Sequence, residues 1–163
     1  MAPNEPEGTR QRCCVRAEPS HRLAQKSLAV APRSANSSNW PVILVVEDEV
    51  LVREMIVQYL RDRYFIILEA ESAEQAAAIC GSGQAVDVLL TDINLAGRGS
   101  GWDVAAVFRE AQPDVGVVYV SGQSVDRRRC VAGGLFFSKP YLNADILHAC
   151  QVLTKRASPA RSD

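Results

Sequence analysis

The sequence predicts an α/β fold, a three-layer sandwich in which helices cover both faces of a five-stranded parallel sheet. Short apolar runs rich in Val, Ile and Leu recur along the chain, as expected of strands buried on both faces. They alternate with stretches whose apolar residues recur every three or four positions, which is typical of amphipathic helices. Such alternation with short links favours right-handed βαβ crossovers and therefore a parallel sheet.

The predicted elements can be placed in chain order. Ser72, with Gln75 three residues later, predicts a capping box at the start of the second helix, and Asn143 can cap the last helix. The fourth helix must fit between about Ser124 and Val131 and is short. The other helices are predicted over 50–63, 73–80 and 102–111. The strands are predicted over 42–46, 65–69, 86–91, 115–120 and 135–138.

The two ends of the chain differ from this pattern. Residues 1–40 hold six Lys or Arg against three Glu and are rich in Pro, Ser and Asn, with little apolar periodicity. Too little apolar surface is available there to offset the entropy of ordering, so we predict a disordered N-terminal tail over 1–40. The predicted domain spans 41–155, and a disordered C-terminal tail is predicted over 156–163.

Composition narrows the classes of protein. A length of 163 residues favours one domain, and a net charge of −1 gives no sign of a nucleic-acid or membrane partner. The five cysteines are odd in number, form no C-x-x-C motif and mostly lie in apolar surroundings, which favours a reduced, intracellular protein. No apolar run approaches the roughly 20 residues of a membrane helix, and no signal peptide is visible. We therefore expect a cytoplasmic protein.

Charged side chains follow three of the predicted strands. Asp92 ends the third strand, Glu47 and Asp48 follow the first, and Lys139 follows the fifth. The carboxyl ends of parallel strands form the edge where ligands bind in open α/β folds. Magnesium prefers oxygen ligands and takes one or two carboxylates from a protein, so this pattern predicts a site for a divalent cation and a phosphoryl group. The alternative is that such acids only cap helices, as Asp48 could for the first helix.

Four motifs at the ends of strands resemble those of the receiver domain of two-component response regulators. The resemblance covers roughly Val42 to Leu153, and its motifs stand in the family's order after strands one, three, four and five. It implies a flavodoxin-like, doubly wound sheet with strand order 2-1-3-4-5. The motifs are Glu47-Asp48-Glu49, Thr91-Asp92-Ile93-Asn94, Ser121-Gly122 and Lys139-Pro140.

The resemblance also implies a role for each residue of the charged site. Asp92 would be the phosphoacceptor, attacking a phosphohistidine to form an acyl phosphate. Mg²⁺ (or Mn²⁺) would be held by Asp48, Asp92 and the backbone carbonyl of Asn94, with Glu47 reaching it through a water. Lys139 would place a positive charge on a phosphoryl oxygen.

The remaining roles implied by the resemblance concern switching. Ser121 would donate its hydroxyl to the attached phosphoryl group, and Phe136 would be the aromatic ring that turns inward with it. The alternative for Phe136 is an ordinary core residue. Asn94 and Gln123 match positions that tune hydrolysis of the acyl phosphate. The bond before Pro140 is expected to be cis.

The chain departs from the family's pattern in two places. The loop after Asp92 has Ala96 where a proline is usual and is about one residue longer, with Arg98. The interval from Ser121 to Lys139 lacks about one turn of helix four, which puts in doubt the usual surface for dimers and output domains.

The function implied is a phosphoryl-accepting switch or relay rather than an enzyme, since it would catalyse only its own phosphorylation and autodephosphorylation. The expected partners are a histidine kinase or a histidine phosphotransfer protein and an unknown downstream protein, with neither direct DNA binding nor a membrane. Two alternatives remain open: a phosphatase of the haloacid dehalogenase type, which also uses a strand-end aspartate, magnesium and a lysine, and a binding module that works without phosphate.

Overall fold

A computed structural model describes residues 15–16, 40–123 and 126–157 of the chain. Within these residues it contains six strands, four α-helices and one short 3₁₀ helix. The helices are α1 (Val50–Arg61), α2 (Ala73–Gly81), α3 (Gly101–Ala111) and α4 (Asn143–Ala157), and the 3₁₀ helix is Arg127–Arg129. The strands are β1 (Val15–Arg16), β2 (Val42–Val46), β3 (Ile66–Ala70), β4 (Val88–Asp92), β5 (Gly116–Ser121) and β6 (Leu135–Ser138).

All the strands pair in parallel, in the order β3-β2-β4-β5-β6-β1. The five predicted strands are β2 to β6, so the predicted parallel sheet and its order 2-1-3-4-5 are confirmed. Strand β1 adds a sixth position beside β6, with Val15 opposite Leu135 and Arg16 opposite Phe136. Two residues of the segment predicted to be disordered therefore form a strand. Trp40, the last residue of that segment, is also described, and its ring packs edge-on against Tyr64. Helix α4 ends at Ala157, two residues inside the C-terminal tail that was predicted to be disordered. Residues 1–14, 17–39 and 158–163 lie outside the described residues.

Two apolar layers cover the two faces of the sheet. Successive side chains of a strand point to opposite faces, so Leu44 and Val46 pack on one side of β2 while Ile43 and Val45 pack on the other. The first layer is completed by α2 and α3, and the second by α1 and α4. This is the predicted three-layer sandwich, and it buries every residue of β4 and β5.

Polar side chains fix the starts of two helices that border the site. Ser72 Oγ accepts from Gln75 N at 3.2 Å, as predicted, but the Gln75 side chain accepts from Glu71 N rather than from the cap residue. At α3, Ser100 and Asp103 form a full capping box that the sequence analysis did not anticipate. Such caps satisfy N–H groups that have no partner inside the helix.

The predicted fourth helix is absent from the described part of residues 124–131. Only the 3₁₀ helix Arg127–Arg129 forms there, and residues 124 and 125 lie outside the described part. Three separate side-chain contacts hold the chain between β5 and β6 instead. Tyr119 Oη accepts from Val131 N at 3.2 Å, Arg109 donates to the carbonyl of Ala132 at 3.0 Å, and Arg129 pairs with Asp103 at 2.8 Å. These contacts hold the chain between β5 and β6 in place of a longer helix.

The cysteines are not all reduced. Cys80 and Cys150 are free and buried, as expected of small core residues. Cys130, however, is disulfide-bonded, so the prediction of reduced cysteines is wrong at this position. Within the described residues, no helix combines the length and the apolar character that crossing a membrane requires.

Candidate functional site

The sheet register brings the polar strand ends to one edge. Val46 lies opposite Thr91, Asp92 opposite Val120, and Ser121 opposite Ser138. Each pair is the last of its ladder, so the residues that follow β2, β4, β5 and β6 emerge side by side. The charged groups picked out from the sequence therefore share one small region.

Three carboxylates form a cluster at this edge. One oxygen each of Glu47, Asp48 and Asp92 lies within 4.8 Å of the others. Carboxylate oxygens at such spacing suit a hard divalent cation, which takes oxygen ligands and keeps several waters. Asp48 does not cap α1, because its Oδ2 accepts from Ala96 N at 3.2 Å and the N-cap residue is Glu49. The alternative of a simple helix cap is therefore not supported for Asp48.

The ammonium group of Lys139 lies between two of these acids. Its Nζ is 2.5 Å from Asp92 Oδ2 and 2.8 Å from Glu47 Oε2. Burial lowers the pKa of Lys139, but hydrogen bonds to the two carboxylates outweigh it, so the pKa is raised overall. The pKa of Glu47 is raised overall, chiefly by burial and to a smaller extent by the charge of Asp92, against the opposing hydrogen bond and charge of Lys139. Glu47 thus contacts Lys139 directly, a pairing that the sequence analysis did not predict.

The carboxylate of Asp92 is held on both oxygens. Oδ1 accepts from Asn94 N at 2.9 Å, while Oδ2 faces Lys139. The residue is only 7% exposed. Beside it, the Thr91 hydroxyl donates to the Asp92 carbonyl at 2.8 Å. Asn94 and Lys139 therefore orient the carboxylate of Asp92, which lies beside Glu47 and Asp48.

The Ser121 hydroxyl lies one strand away from Asp92. It accepts from Asn94 Nδ2 and from Gln123 N, each at 3.2 Å, and it donates to Gln123 O at 3.4 Å. Ser121 is 1% exposed. Asn94 and Gln123, which the sequence picked out as tuning positions, thus both contact the predicted switch hydroxyl.

Two further predicted residues lie on and after β6. The Phe136 ring is buried in the layer that contains Trp102 and Tyr119. The peptide bond between Lys139 and Pro140 is cis, the geometry that the resemblance implies. Lys139 N also donates to Ser121 O at 2.8 Å, which ties the end of β5 to the lysine.

The profile of the response regulator receiver domain family matches residues 43–151, two thirds of the chain. The chain belongs to that family.

Sequence comparison finds receiver relatives of greater length. The transcriptional regulatory protein AruR of Pseudomonas aeruginosa is 33% identical over 97 residues, which cover 56% of this chain and 38% of that protein. The regulatory protein VirG of Rhizobium rhizogenes is 30% identical over 126 residues, covering 74% of this chain and 51% of that protein. This chain therefore spans about half or less of the length of these relatives.

Structure comparison finds a receiver that matches this chain over almost its own whole length. A response regulator receiver protein from Sinorhizobium medicae superposes with a TM-score of 0.70 at 28% identity, over 73% of this chain and 98% of that one. The receiver family acts in two-component signalling as a phospho-accepting switch rather than as a conventional enzyme. The cluster of Glu47, Asp48 and Asp92 fits the metal site of such receivers.

Two residues that support the receiver site were missed by the sequence analysis. Arg53 on α1 donates to the carbonyl of Glu47 at 2.6 Å and lies 3.7 Å from Glu69, so it anchors the acidic loop after β2. A Cβ at Gly101 would overlap the carbonyl of Asp92, so this position on α3 requires glycine. A basic residue at the end of the first turn, on an otherwise apolar helix face, was the signal for Arg53. Gly101 gave no such signal, because its close contact is with Asp92 on β4, which the sequence alone does not display.

Proposed function

We propose that this protein accepts a phosphoryl group on Asp92 from a histidine kinase or a histidine phosphotransfer protein and then acts as a switch or relay on a partner protein. One observation carries the proposal: a nearly buried aspartate at a strand end contacts a lysine and lies within a cluster of three carboxylates. Such an arrangement suits phosphoryl transfer to a carboxylate, because Lys139 and a divalent cation held by the acids would neutralise the negative charge of both reactants.

The chemistry follows from the two oxygens of Asp92. One carboxylate oxygen attacks phosphorus, a P–O bond forms, and the P–N bond to the donor imidazole breaks with its electron pair leaving on the imidazole. Asn94 N orients the carboxylate, and Lys139 Nζ stands 2.5 Å from its second oxygen. The lysine can then pair with a phosphoryl oxygen instead, since an ammonium group is a compact and mobile charge.

The metal expected here is Mg²⁺, or Mn²⁺ with the same oxygen preference. Asp48, Asp92 and the backbone carbonyl of Asn94 would hold it, and Glu47 would reach it only through a water because its Oε2 is engaged by Lys139. When bound, such an ion neutralises charge on the transferring phosphoryl group. After transfer, Ser121 would donate to a phosphoryl oxygen. Phe136, already buried, would adjust its packing with that movement.

The surroundings of the site support a protein donor. Leu51 on α1 is 74% exposed and Leu142 after the cis-proline is 67% exposed, and both follow site residues closely along the chain. In this proposal the two leucines form part of the surface that contacts the protein donor. We place this exchange in the cytoplasm.

Direct DNA binding is not expected, because two arginines of the 3₁₀ helix form local ion pairs. Arg128 bonds Asp126 and Arg129 bonds Asp103, each at 2.8 Å. Paired arginines have less charge available for phosphates of nucleic acid.

The decisive experiment is phosphorylation by a small phosphodonor with Mg²⁺, followed by intact-mass measurement. We expect one phosphoryl group on the native chain and none on Asp92→Asn, with the label lost when Mg²⁺ is chelated. Asp114→Asn is the matched control, since Asp114 is an exposed acid at the opposite edge of the sheet, and it should be labelled normally. Full labelling of Asp92→Asn would overturn the proposal.

The two alternative functions make different predictions in the same assay. A haloacid dehalogenase would place an aspartate nucleophile in an Asp-x-Asp pair after the first core strand. Here that strand is followed by Glu47-Asp48-Glu49, and the aspartate in contact with the lysine is Asp92 on β4. Steady hydrolysis of an aryl phosphate would favour that class. A binding module that works without phosphate would leave the native chain unlabelled while it still bound its partner.

A further inference from the structure

Asn94 joins the acceptor carboxylate to the switch hydroxyl. Its backbone N–H donates to Asp92 Oδ1 at 2.9 Å, and its side-chain Nδ2 donates to Ser121 Oγ at 3.2 Å. One bond runs to Asp92 at the end of β4 and the other to Ser121 at the end of β5. If phosphorylation of Asp92 moves the chain at Asn94, the side-chain amide that donates to Ser121 Oγ therefore moves with it.

The hydroxyl of Ser121 is fully occupied in this state. A serine hydroxyl offers one proton and two lone pairs. The lone pairs accept from Asn94 Nδ2 and Gln123 N, and the proton is directed to Gln123 O at 3.4 Å. At 1% exposure, Ser121 has little access to water that could replace a lost partner. To donate to a phosphoryl oxygen, the hydroxyl must give up its bond to Gln123 O. Movement of the Ser121 oxygen toward that group also breaks or shifts the bond from Asn94.

Phosphorylation weakens the hydrogen bond from Asn94 N to Asp92 Oδ1. The N–H of Asn94 now donates to a carboxylate, and hydrogen bonds to an ionised acceptor are roughly twice as strong as neutral ones. When one oxygen of Asp92 becomes an acyl phosphate, its partner becomes a neutral carbonyl. The attraction that fixes Asn94 N over Asp92 then falls, and the side chain that holds Ser121 is less constrained.

We propose that Asn94 is a positioning residue that keeps Ser121 in the unphosphorylated arrangement and releases it when Asp92 is modified. This inference rests on the proposed function and adds a regulatory step to it. It differs from tuning of hydrolysis, which concerns the water that attacks the acyl phosphate. Here the amide of Asn94 acts earlier, on the balance between the resting and the activated positions of the hydroxyl.

A double-mutant cycle with a phosphoryl mimic tests the inference. Beryllium trifluoride with Mg²⁺ binds a carboxylate as a tetrahedral mimic of a phosphoryl group, and the bound form can be counted by ¹⁹F NMR. Asn94→Ala removes the amide but keeps the backbone N–H and carbonyl. We expect it to lower the half-saturating beryllium trifluoride concentration about fivefold, the worth of one neutral hydrogen bond. In a Ser121→Ala background the same substitution should have no effect.

The outcomes separate the two levels of the proposal. An equal effect of Asn94→Ala in both backgrounds, or no tightening in the chain that keeps Ser121, would overturn the inference and leave the proposed function standing. A parallel change in Mg²⁺ affinity measured without the mimic would also overturn it, because the loop rather than the hydroxyl would be altered. Failure of the native chain to bind the mimic with Mg²⁺ would overturn the proposed function itself.

Discussion

Lys139 Nζ lies 2.8 Å from Oε2 of Glu47, whose side chain is 4% exposed, and the same ammonium group contacts Asp92. One lysine thus balances two of the three carboxylates at this edge. A divalent cation would draw on the same acids, so Lys139 and the metal compete for part of their interactions. Since the lysine side chain is 23% exposed, it can move without the cost of a fully buried charge.

This competition predicts the behaviour of Lys139→Met, which keeps the length of the side chain and removes its charge. Without Mg²⁺ the three carboxylates lose their counter-ion, and we expect the free energy of unfolding to fall by about 2 kcal/mol, less than for a fully buried pair. Mg²⁺ should bind several-fold more tightly and restore part of the stability. Urea denaturation and titration calorimetry measure both effects. Lys155→Met, an exposed lysine near the end of α4, is the control, and equal Mg²⁺ affinities in the two variants would contradict the prediction.

Gly101 predicts a large effect from a small substitution. A Cβ at this position would overlap the carbonyl of Asp92 and crowd Thr91 Oγ1. Overpacking of this kind costs about 1–3 kcal/mol, and relief requires β4 and α3 to separate. We expect Gly101→Ala to lower the free energy of unfolding by that amount and to slow labelling of Asp92 by a small phosphodonor.

The control for Gly101 is Gly81, at the end of α2. A Cβ there would have nothing within 4 Å. Alanine also reduces the entropy of the unfolded chain, so Gly81→Ala should be neutral or stabilising by about 0.5 kcal/mol. Equal destabilisation of both variants in chemical denaturation would argue that the crowding at Asp92 is not what matters.

The sequence predicted those features of the fold and the site that depend on local pattern. Apolar runs and their helical partners located the core, and β2 and β6 match their predicted bounds. The strand ends with Asp92 and Lys139 were visible because a charged residue closes an apolar run. The order of strands placed these ends at one edge before any distance was known.

The rest depends on contacts between distant segments, which a single sequence does not display. The pairing of Glu47 with Lys139 joins residues 92 positions apart. Strand β1 has no apolar run of its own and exists only through β6. The fourth helix was predicted from the alternation of elements, but the connection from β5 to β6 is held by Tyr119 and Arg109 as an irregular segment. Tertiary contacts there outweigh helical propensity.

Cys150 predicts how stability changes at high pH. Cys150 is a residue of α4 whose thiol lies in the core, and burial raises the pKa of this thiol to about 12. The unfolded chain releases this proton near the ordinary cysteine pKa of about 8.5, whereas the folded chain keeps it. Stability from this group is therefore lost as pH rises from about 8.5 toward 12, at up to about 1.4 kcal/mol per pH unit.

Comparison of the native chain with Cys150→Ala isolates this effect. The alanine variant carries a constant cost for the missing sulfur at every pH. Its free energy of unfolding should therefore fall less steeply than that of the native chain above pH about 9. Parallel slopes for the two chains in urea titrations between neutral pH and pH 10.5 would contradict the raised pKa.

Strand β1 makes a prediction for the exposed side of β6. Alternate residues of a parallel strand direct their N–H groups to the same neighbour, so only one of Val15 and Arg16 can donate to β6. Proline has no N–H to give. One of the two variants Val15→Pro and Arg16→Pro should therefore remove a ladder bond, while the other serves as its control.

Hydrogen exchange of the β6 amides, followed by mass spectrometry, should speed up about fivefold in the variant that loses the ladder bond, the effect of one hydrogen bond. Exchange in β4, which lies between β2 and β5, should be unchanged in both. If β6 exchanges at the native rate in both variants, β1 contributes nothing to the protection of this edge, and the strand that leads to Lys139 is protected by β5 alone.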